Sequence, residues 1–155
     1  MDPANLDEFD VRILRMLSRD GRIPVQALSD AVGLSPTPVA RRLRRLEEAG
    51  IVKGYTAVID EHALGFETSV FVSVKLERQI DNALSNFETA IAAFPEVVDC
   101  WLMTGNRDYL LRVVTRSMSE FEAFLVGRLT KVPGVAEIES SIPLRRVKSA
   151  LARTL

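Results

Sequence analysis

The sequence predicts an α+β protein in two parts, a three-helix unit followed by a unit in which strands and helices alternate. Three observations carry that prediction. Apolar residues in the first third recur at helical spacing between glycine breaks; from Val70 onward the spacing switches between the strand and the helix period; and the order strand, helix, strand occurs twice. A chain of 155 residues holds one ordinary domain or two small ones, and 47% hydrophobic residues are ample for packed cores.

In the first part, Leu6, Phe9, Ile13, Leu14 and Leu17 form one helical stripe, with Asp7, Glu8 and Asp10 in the first turn, where the helix dipole favours negative charge. Gly21 stops this helix. A second, short helix is expected from Val25 to Val32, its stripe being Val25, Leu28 and Val32, with Gly33 supplying the turn that follows. Ser35 is then placed to cap a third helix that starts at Pro36, where the missing N–H of proline costs nothing. Val39, Leu43 and Leu46 face inward on it, whereas Thr37, Arg41, Arg44 and Glu48 lie nearly opposite, with Pro38 and Arg45 beside them and Arg42 at the border. Helix, tight turn, capped helix and cationic outer face together have helix-turn-helix spacing. Gly50 ends the third helix, and Ile51 to Ile59 alternates like a strand that forms a short wing or leads into the next unit.

Between His62 and Glu67 the periodicity lapses around Gly65, and the linker is expected there, which divides the chain into 1–61 and 62–155. Val70, Val72, Val74 and Leu76 then alternate as a strand; Leu84, Phe87, Ile91 and Phe94 make a helix; Val97 to Met103 is a strand. Tyr109 to Thr115, the helix of Met118, Phe121, Leu125 and Leu129, and the strand Val135 to Leu144 repeat the order. Pro95-Glu96-Val97 and Pro133-Gly134-Val135 join helix to strand at matching points. This is the split βαββαβ arrangement of the ferredoxin-like fold. Two helices cover one face of such a sheet. The other would present Phe71, Ser73 and Lys75 with either Leu110 and Val114 or Tyr109, Leu111 and Val113, which is apolar for a wet surface, so a homodimer through sheet faces is expected.

Charge and composition narrow the function classes. Net charge is −1, but between Thr37 and Lys53 the cations Arg41, Arg42, Arg44, Arg45 and Lys53 face only Glu47 and Glu48. No apolar run approaches the length of a membrane span, and the acidic, polar start does not read as a signal peptide. The single cysteine, Cys100, closes no intrachain disulfide and is read as a small buried hydrophobe; together these features suit the cytoplasm. His62 is the only histidine, no cysteine pair or close acidic cluster completes a metal site, and no cofactor is expected. The Phe87, Phe94, Phe121 and Phe124 set is core.

Two motifs carry a family resemblance. Ser35-Pro36-Thr37-Pro38-Val39, followed by Arg41-Arg42-Leu43-Arg44-Arg45-Leu46-Glu47-Glu48-Ala49-Gly50-Ile51-Val52-Lys53-Gly54-Tyr55, resembles the helix-turn-helix of the Lrp/AsnC (feast/famine) regulators. Thr104-Gly105-Asn106-Arg107-Asp108-Tyr109 is similar to the Gly-x-x-Asp-Tyr segment of that family's sensing module. The resemblance runs from about Leu6 to Lys148. It implies a winged helix-turn-helix that binds double-stranded DNA, a ferredoxin-like sensing domain that binds an amino acid or related metabolite, dimers that assemble further into octamers, and ligand-dependent control of promoters.

On that basis Thr37, Pro38 and Arg41 near the start of the third helix would face base edges, Arg42, Arg44, Arg45 and Lys53 would mainly meet phosphates, and Ser35 at the helix start completes the candidate DNA-binding set. The plain alternative is a solvated helix face. Met103, Thr104, Gly105, Asn106, Arg107, Asp108, Tyr109 and Ser140 are the candidate ligand residues, free amides near Gly105 suiting a carboxylate and Asp108 an ammonium group. On residues alone, the same segment reads as a hairpin turn in which Asp108 only braces the backbone. A competing class is a tetrapyrrole (siroheme-type) decarboxylase on the same fold. That chemistry asks for acid/base histidines in the second domain's cavity, where this chain would have to rely on Arg or Tyr, and no enzyme activity is expected.

Overall fold

The computed structural model describes residues 6–77 and 81–148. The expectations for the acidic first five residues and for the end of the second part beyond 148 lie outside the described residues. Packing divides the chain into two compact units, one up to Val58 and one from Ile59 to Val147.

The first unit is three helices, α1 (Glu8–Leu17), α2 (Val25–Val32) and α3 (Pro36–Glu48). Their apolar stripes meet in a closed core of Ile13, Leu28, Val32, Val39 and Leu46, ringed by Leu6, Phe9, Leu14, Leu17, Ile23, Ile51 and Val52. The start of α1 is fixed by a reciprocal cap: Asp7 accepts the Asp10 N–H at 2.9 Å, and Asp10 accepts the Asp7 N–H at 3.3 Å. Gly33, at φ 75°, makes the left-handed turn from α2 toward α3, a conformation that β-carbon sterics disfavour in other residues. Two expectations are corrected. Ser35 occupies the position before α3, but its side chain makes no capping bond. The segment after Gly50 is irregular and joins no sheet among the described residues, because its backbone groups find no neighbouring strand there to complete a ladder.

The second unit is a four-stranded sheet in the order β2-β3-β1-β4, built from β1 (Thr68–Leu76), β2 (Val97–Leu102), β3 (Tyr109–Thr115) and β4 (Val135–Ser141), every neighbouring pair antiparallel. Helices α4 (Asp81–Ala92) and α5 (Met118–Gly127) connect the strands in the expected split order. Val70, Val72, Val74, Tyr109, Leu111 and Val113 point into one core with Phe87, Ile91, Phe121, Phe124 and Leu129. The open choice for β3 is thereby resolved: Tyr109, Leu111 and Val113 are core, and Leu110 lies half-buried on the opposite face beside Arg112.

The expected linker is also corrected. His62–Leu64 is a short 3-10 turn inside the second unit, held by the Asp60 carboxylate, which accepts the His62 and Ala63 N–H groups at 2.9 and 3.3 Å. Arg112 on β3 grips Glu61 through both terminal nitrogens at 3.0 and 2.8 Å, so the chain is already anchored to this unit before Gly65. The last strand stops at Ser141, short of Leu144, because Pro143 has no N–H to offer a ladder. Cys100 is exposed rather than buried: β2 is an edge strand, and Cys100 lines a cavity of about 350 Å³ with Glu88, Ile91 and Tyr109.

Candidate DNA interface and ligand site

Helix α3 turns its apolar side onto the core through Val39 and Leu46, both fully buried, and this fixes what the opposite side shows. Thr37, Arg41 and Arg44 are exposed there, as are Ser35 and Lys53 at either end, while Pro38 is half-buried. Arg41, Arg44 and Lys53 have no ion-pair or hydrogen-bond partner among the described residues. The two remaining arginines behave differently. Arg42 is turned toward α1: its Nη1 donates to Asp10 Oδ1 at 2.9 Å and to Asp7 Oδ2 at 2.6 Å, and its guanidinium lies 5.4 Å from the centre of the Phe9 ring. Arg45 donates from Nη2 to Asp10 Oδ2, although its side chain stays 46% exposed.

Arg42 is therefore removed from the expected set of phosphate contacts, since its charge is used to join α3 to α1. Its pKa is held above the ordinary value, chiefly by the hydrogen bond to Asp10. Asp7 titrates below its ordinary value, mainly because it accepts the Asp10 N–H and secondarily because of Arg42. Asp10 is fully buried and meets both arginines. Sequence reasoning assigned Asp10 only to the helix dipole; its partners lie 32 and 35 residues away, and nothing local in the sequence signals them.

In the second unit, residues 103–108 form the loop of the β2–β3 hairpin. Met103, Thr104, Gly105 and Asn106 are exposed, Gly105 with φ at 109°, and Arg107 bridges across the sheet to Glu137 at 2.5 Å and Glu139 at 3.0 Å on β4. That contact keeps the Glu137 carboxyl below its usual range. A cavity of about 350 Å³ opens beside the loop, lined by Ser73, Met103, Thr104, Asn106, Arg107, Tyr109 and Leu110, within the size range of small-molecule sites.

Two of the expected ligand residues have side chains tied into the fold, and a third stands apart from Arg107's partner on the sheet. Asp108 is 4% exposed; its N–H donates to Val74 O at 2.9 Å and its Oδ2 accepts the Leu76 N–H at 2.7 Å, which continues the β1–β3 ladder past its last paired residues. The bracing role is thus the one its geometry shows. Tyr109 is 1% exposed, packs on Phe87 with ring centres 4.5 Å apart, and donates its hydroxyl to Glu88 at 2.8 Å; burial pushes its pKa up. Ser140 is paired with Val72, which points into the core, so it stands on the other side of the sheet from Arg107's partner Glu139. Arg112 went unnoticed in the sequence, although an arginine inside Tyr109–Thr115 was the visible signal. It is clamped between Glu61 and Asp99 and holds the Glu61 carboxyl below its usual range.

A helix-turn-helix with an unpaired cationic face, followed by a separate α/β unit with a cavity beside a hairpin, defines a DNA-binding regulator that carries a ligand-binding domain. The comparisons agree with that class. Residues 6–53 match the winged helix-turn-helix DNA-binding family, and residues 69–152 match the Lrp/AsnC ligand-binding domain. The chain belongs to the Lrp/AsnC family of transcriptional regulators. It is 48% identical over 144 residues to the Bkd operon transcriptional regulator of Pseudomonas aeruginosa, covering 93% of this chain and 94% of that one. It is 38% identical over 147 residues to the leucine-responsive regulatory protein of Rhizobium meliloti, covering 95% and 94%. The crystal structure of a transcriptional regulator in complex with L-Met from Neisseria meningitidis superposes with a TM-score of 0.90 at 35% identity, covering 97% and 96%. These relatives favour the regulator over the decarboxylase alternative. Among the described residues, no helix is long and apolar enough to cross a membrane.

Proposed function

We propose that the chain controls promoters by setting α3 into the major groove of DNA, with an amino acid received beside the 103–107 hairpin as effector. The observation that carries the DNA half is the pair Arg41 and Arg44, exposed and unpaired on a helix whose opposite side is locked into the core. Thr37, Pro38 and Arg41 face base edges, Arg41 being able to make a bidentate contact with guanine. Arg44 and Lys53 meet phosphates, with Ser35 at the helix start and Arg45 contributing the part of its fork that Asp10 leaves open. Affinity titrations of Arg44→Ala at several salt concentrations test this: binding weakens on every duplex, and the slope of log affinity against log salt flattens by about one unit. An unchanged slope removes Arg44 from the interface.

The effector reading rests on the cavity at the hairpin and on the match of residues 69–152 to a ligand-binding domain. The relatives' names point to methionine or leucine as first ligands to try. The loop amides near Gly105 take the carboxylate, while Ser73, Met103 and Leu110 line the rest of the space. The regulator works in the cytoplasm, without catalysis, as a homodimer or higher assembly formed through the second unit, which doubles α3 on the duplex.

A further inference from the structure

Asp10 occupies an unexpected position for a negative charge in a DNA-binding unit. It is fully buried, it belongs to α1, and its two carboxylate oxygens reach different arginines of α3, Oδ1 taking Arg42 at 2.9 Å and Oδ2 taking Arg45. Arg42 and Arg45 lie three residues apart, on one flank of the helix. Arg42 is also tied to Asp7 at 2.6 Å and covers Phe9, so it is committed to the packing of α3 on α1. Arg45 touches Asp10 through one terminal nitrogen and leaves nearly half its side chain in solvent. A guanidinium has five N–H donors in one rigid plane, so a carboxylate that holds one edge fixes the direction in which the others point.

We propose that Asp10 is a positioning residue of the DNA interface: it presents Arg45 to a phosphate in an already ordered conformation. The inference rests on the reading that α3 meets DNA. Its physical content is that a long, flexible side chain has lost its rotamer freedom before the duplex arrives, so ordering it no longer opposes binding. Simple charge counting gives the opposite sign. Asp10 is an anion beside phosphate-binding cations, and removing it by charge alone strengthens attachment to any DNA.

The full-length chain decides between the two, with two probes: a duplex selected by this chain from a random-sequence pool, and a scrambled duplex of equal length. Asp10→Asn removes one negative charge, yet is expected to weaken binding to the selected duplex about tenfold and to weaken the scrambled duplex as well, whereas charge counting alone has both bind more tightly. Glu8→Gln, which removes the same charge from the same turn of α1 but pairs with Arg12 and with neither arginine of α3, does not weaken the selected duplex. In an Arg45→Gln background the further effect of Asp10→Asn shrinks to less than about twofold, because the positioned group is gone. Thermal unfolding of each variant establishes that the helices are intact. If Asp10→Asn unfolds below the assay temperature, Arg45→Lys serves instead: it keeps the charge beside Asp10 and loses the planar fork, and is expected to lose affinity for both duplexes. The proposal is overturned if Asp10→Asn, or Arg45→Lys in its place, binds the selected duplex as tightly as the parent. It is equally overturned if the loss from Asp10→Asn is undiminished in the Arg45→Gln background. Failure of the underlying reading looks different: Arg41→Ala and Arg44→Ala would then leave both duplexes unaffected.

Discussion

Asp108 and Glu61 each place a carboxylate against a fixed partner in the second unit, and they differ in how far water reaches them. Asp108 is almost closed off and holds the Leu76 N–H. Asp108→Ala strands that donor, and chemical denaturation should show a loss of about 1–3 kcal/mol; Asp108→Asn, whose amide oxygen can still accept, loses less. Equal losses from both variants would mean that the charge rather than the bond matters. Glu61 remains 41% exposed on its side chain, so the Arg112 pair is worth about 1 kcal/mol at most. Because Arg112 lowers the folded-state pKa of Glu61, the pair's contribution is fully present above the ordinary carboxylate value of 4.5 and disappears as pH falls through the lower folded value. Wild type and Glu61→Gln should therefore differ in unfolding free energy at pH 7 and converge as the pH falls below the folded-state value, and a constant gap would contradict the assignment. At this scale the outward set on α3 was legible, since period alone separates Thr37, Arg41 and Arg44 from Val39 and Leu46. Which arginines are engaged was not, because Asp10 meets Arg42 and Arg45 only after α1 packs on α3. Asp108 and Tyr109 had no local mark of burial either; the strand pairing closes over them.

Elements were legible wherever their own residues impose the period and the punctuation. Helices α2 and α3 begin and end where Val25, Gly33, Pro36 and Gly50 put them, and the strands show their alternation in the burial of Val70, Val72, Val74 and Leu76 and of Tyr109, Leu111 and Val113 against half-buried Leu110 and Arg112. Failure came where an element depends on something outside its own segment. Ile51 to Ile59 has the composition of a strand, but a strand exists only with a neighbour to bond. The His62 turn is set by Asp60 and Arg112, which periodicity does not see. Helix α3 divides its two jobs between its two faces, and this yields a separation of effects. Leu46 is fully buried in the first core, so Leu46→Ala should cost about 2–5 kcal/mol in thermal or urea unfolding. Arg44→Ala, on the exposed side, should change stability by no more than about 0.5 kcal/mol while weakening DNA attachment. A stability loss from Arg44→Ala comparable to that from Leu46→Ala would show that the cationic face is structural.

At the scale of the whole molecule, the sheet's outer face predicts pairing between copies. Phe71 and Leu110 lie half-buried there, Ser73 stands opposite Leu110, and Trp101, cross-strand from Leu110, is 44% exposed. The charges on this face are largely matched: Arg112 is held by Glu61 and Asp99, and Arg107 by Glu137 and Glu139. A face that is apolar at its middle and internally neutralised at its margins can be covered by a second copy without stranding a charge, which is the expensive step in burying polar surface. Trp101 is the only tryptophan, so its emission reports on this face alone. Dilution of the full chain should shift that emission toward longer wavelength and lower the unfolding midpoint together, because a folded state that requires two chains gains stability with concentration. Leu110→Asp places a new charge at the middle of the face and should give a monomer whose emission no longer responds to dilution. The three-helix unit keeps its own separate core, so the same variant should still attach to scrambled DNA. It should lose most of its preference for a selected duplex, whose half-sites, about 34–36 Å apart, need two α3 helices at once. If Leu110→Asp stays dimeric, the copies meet elsewhere; if it is monomeric and still prefers the selected duplex as strongly, one α3 helix is sufficient for recognition and pairing serves another purpose.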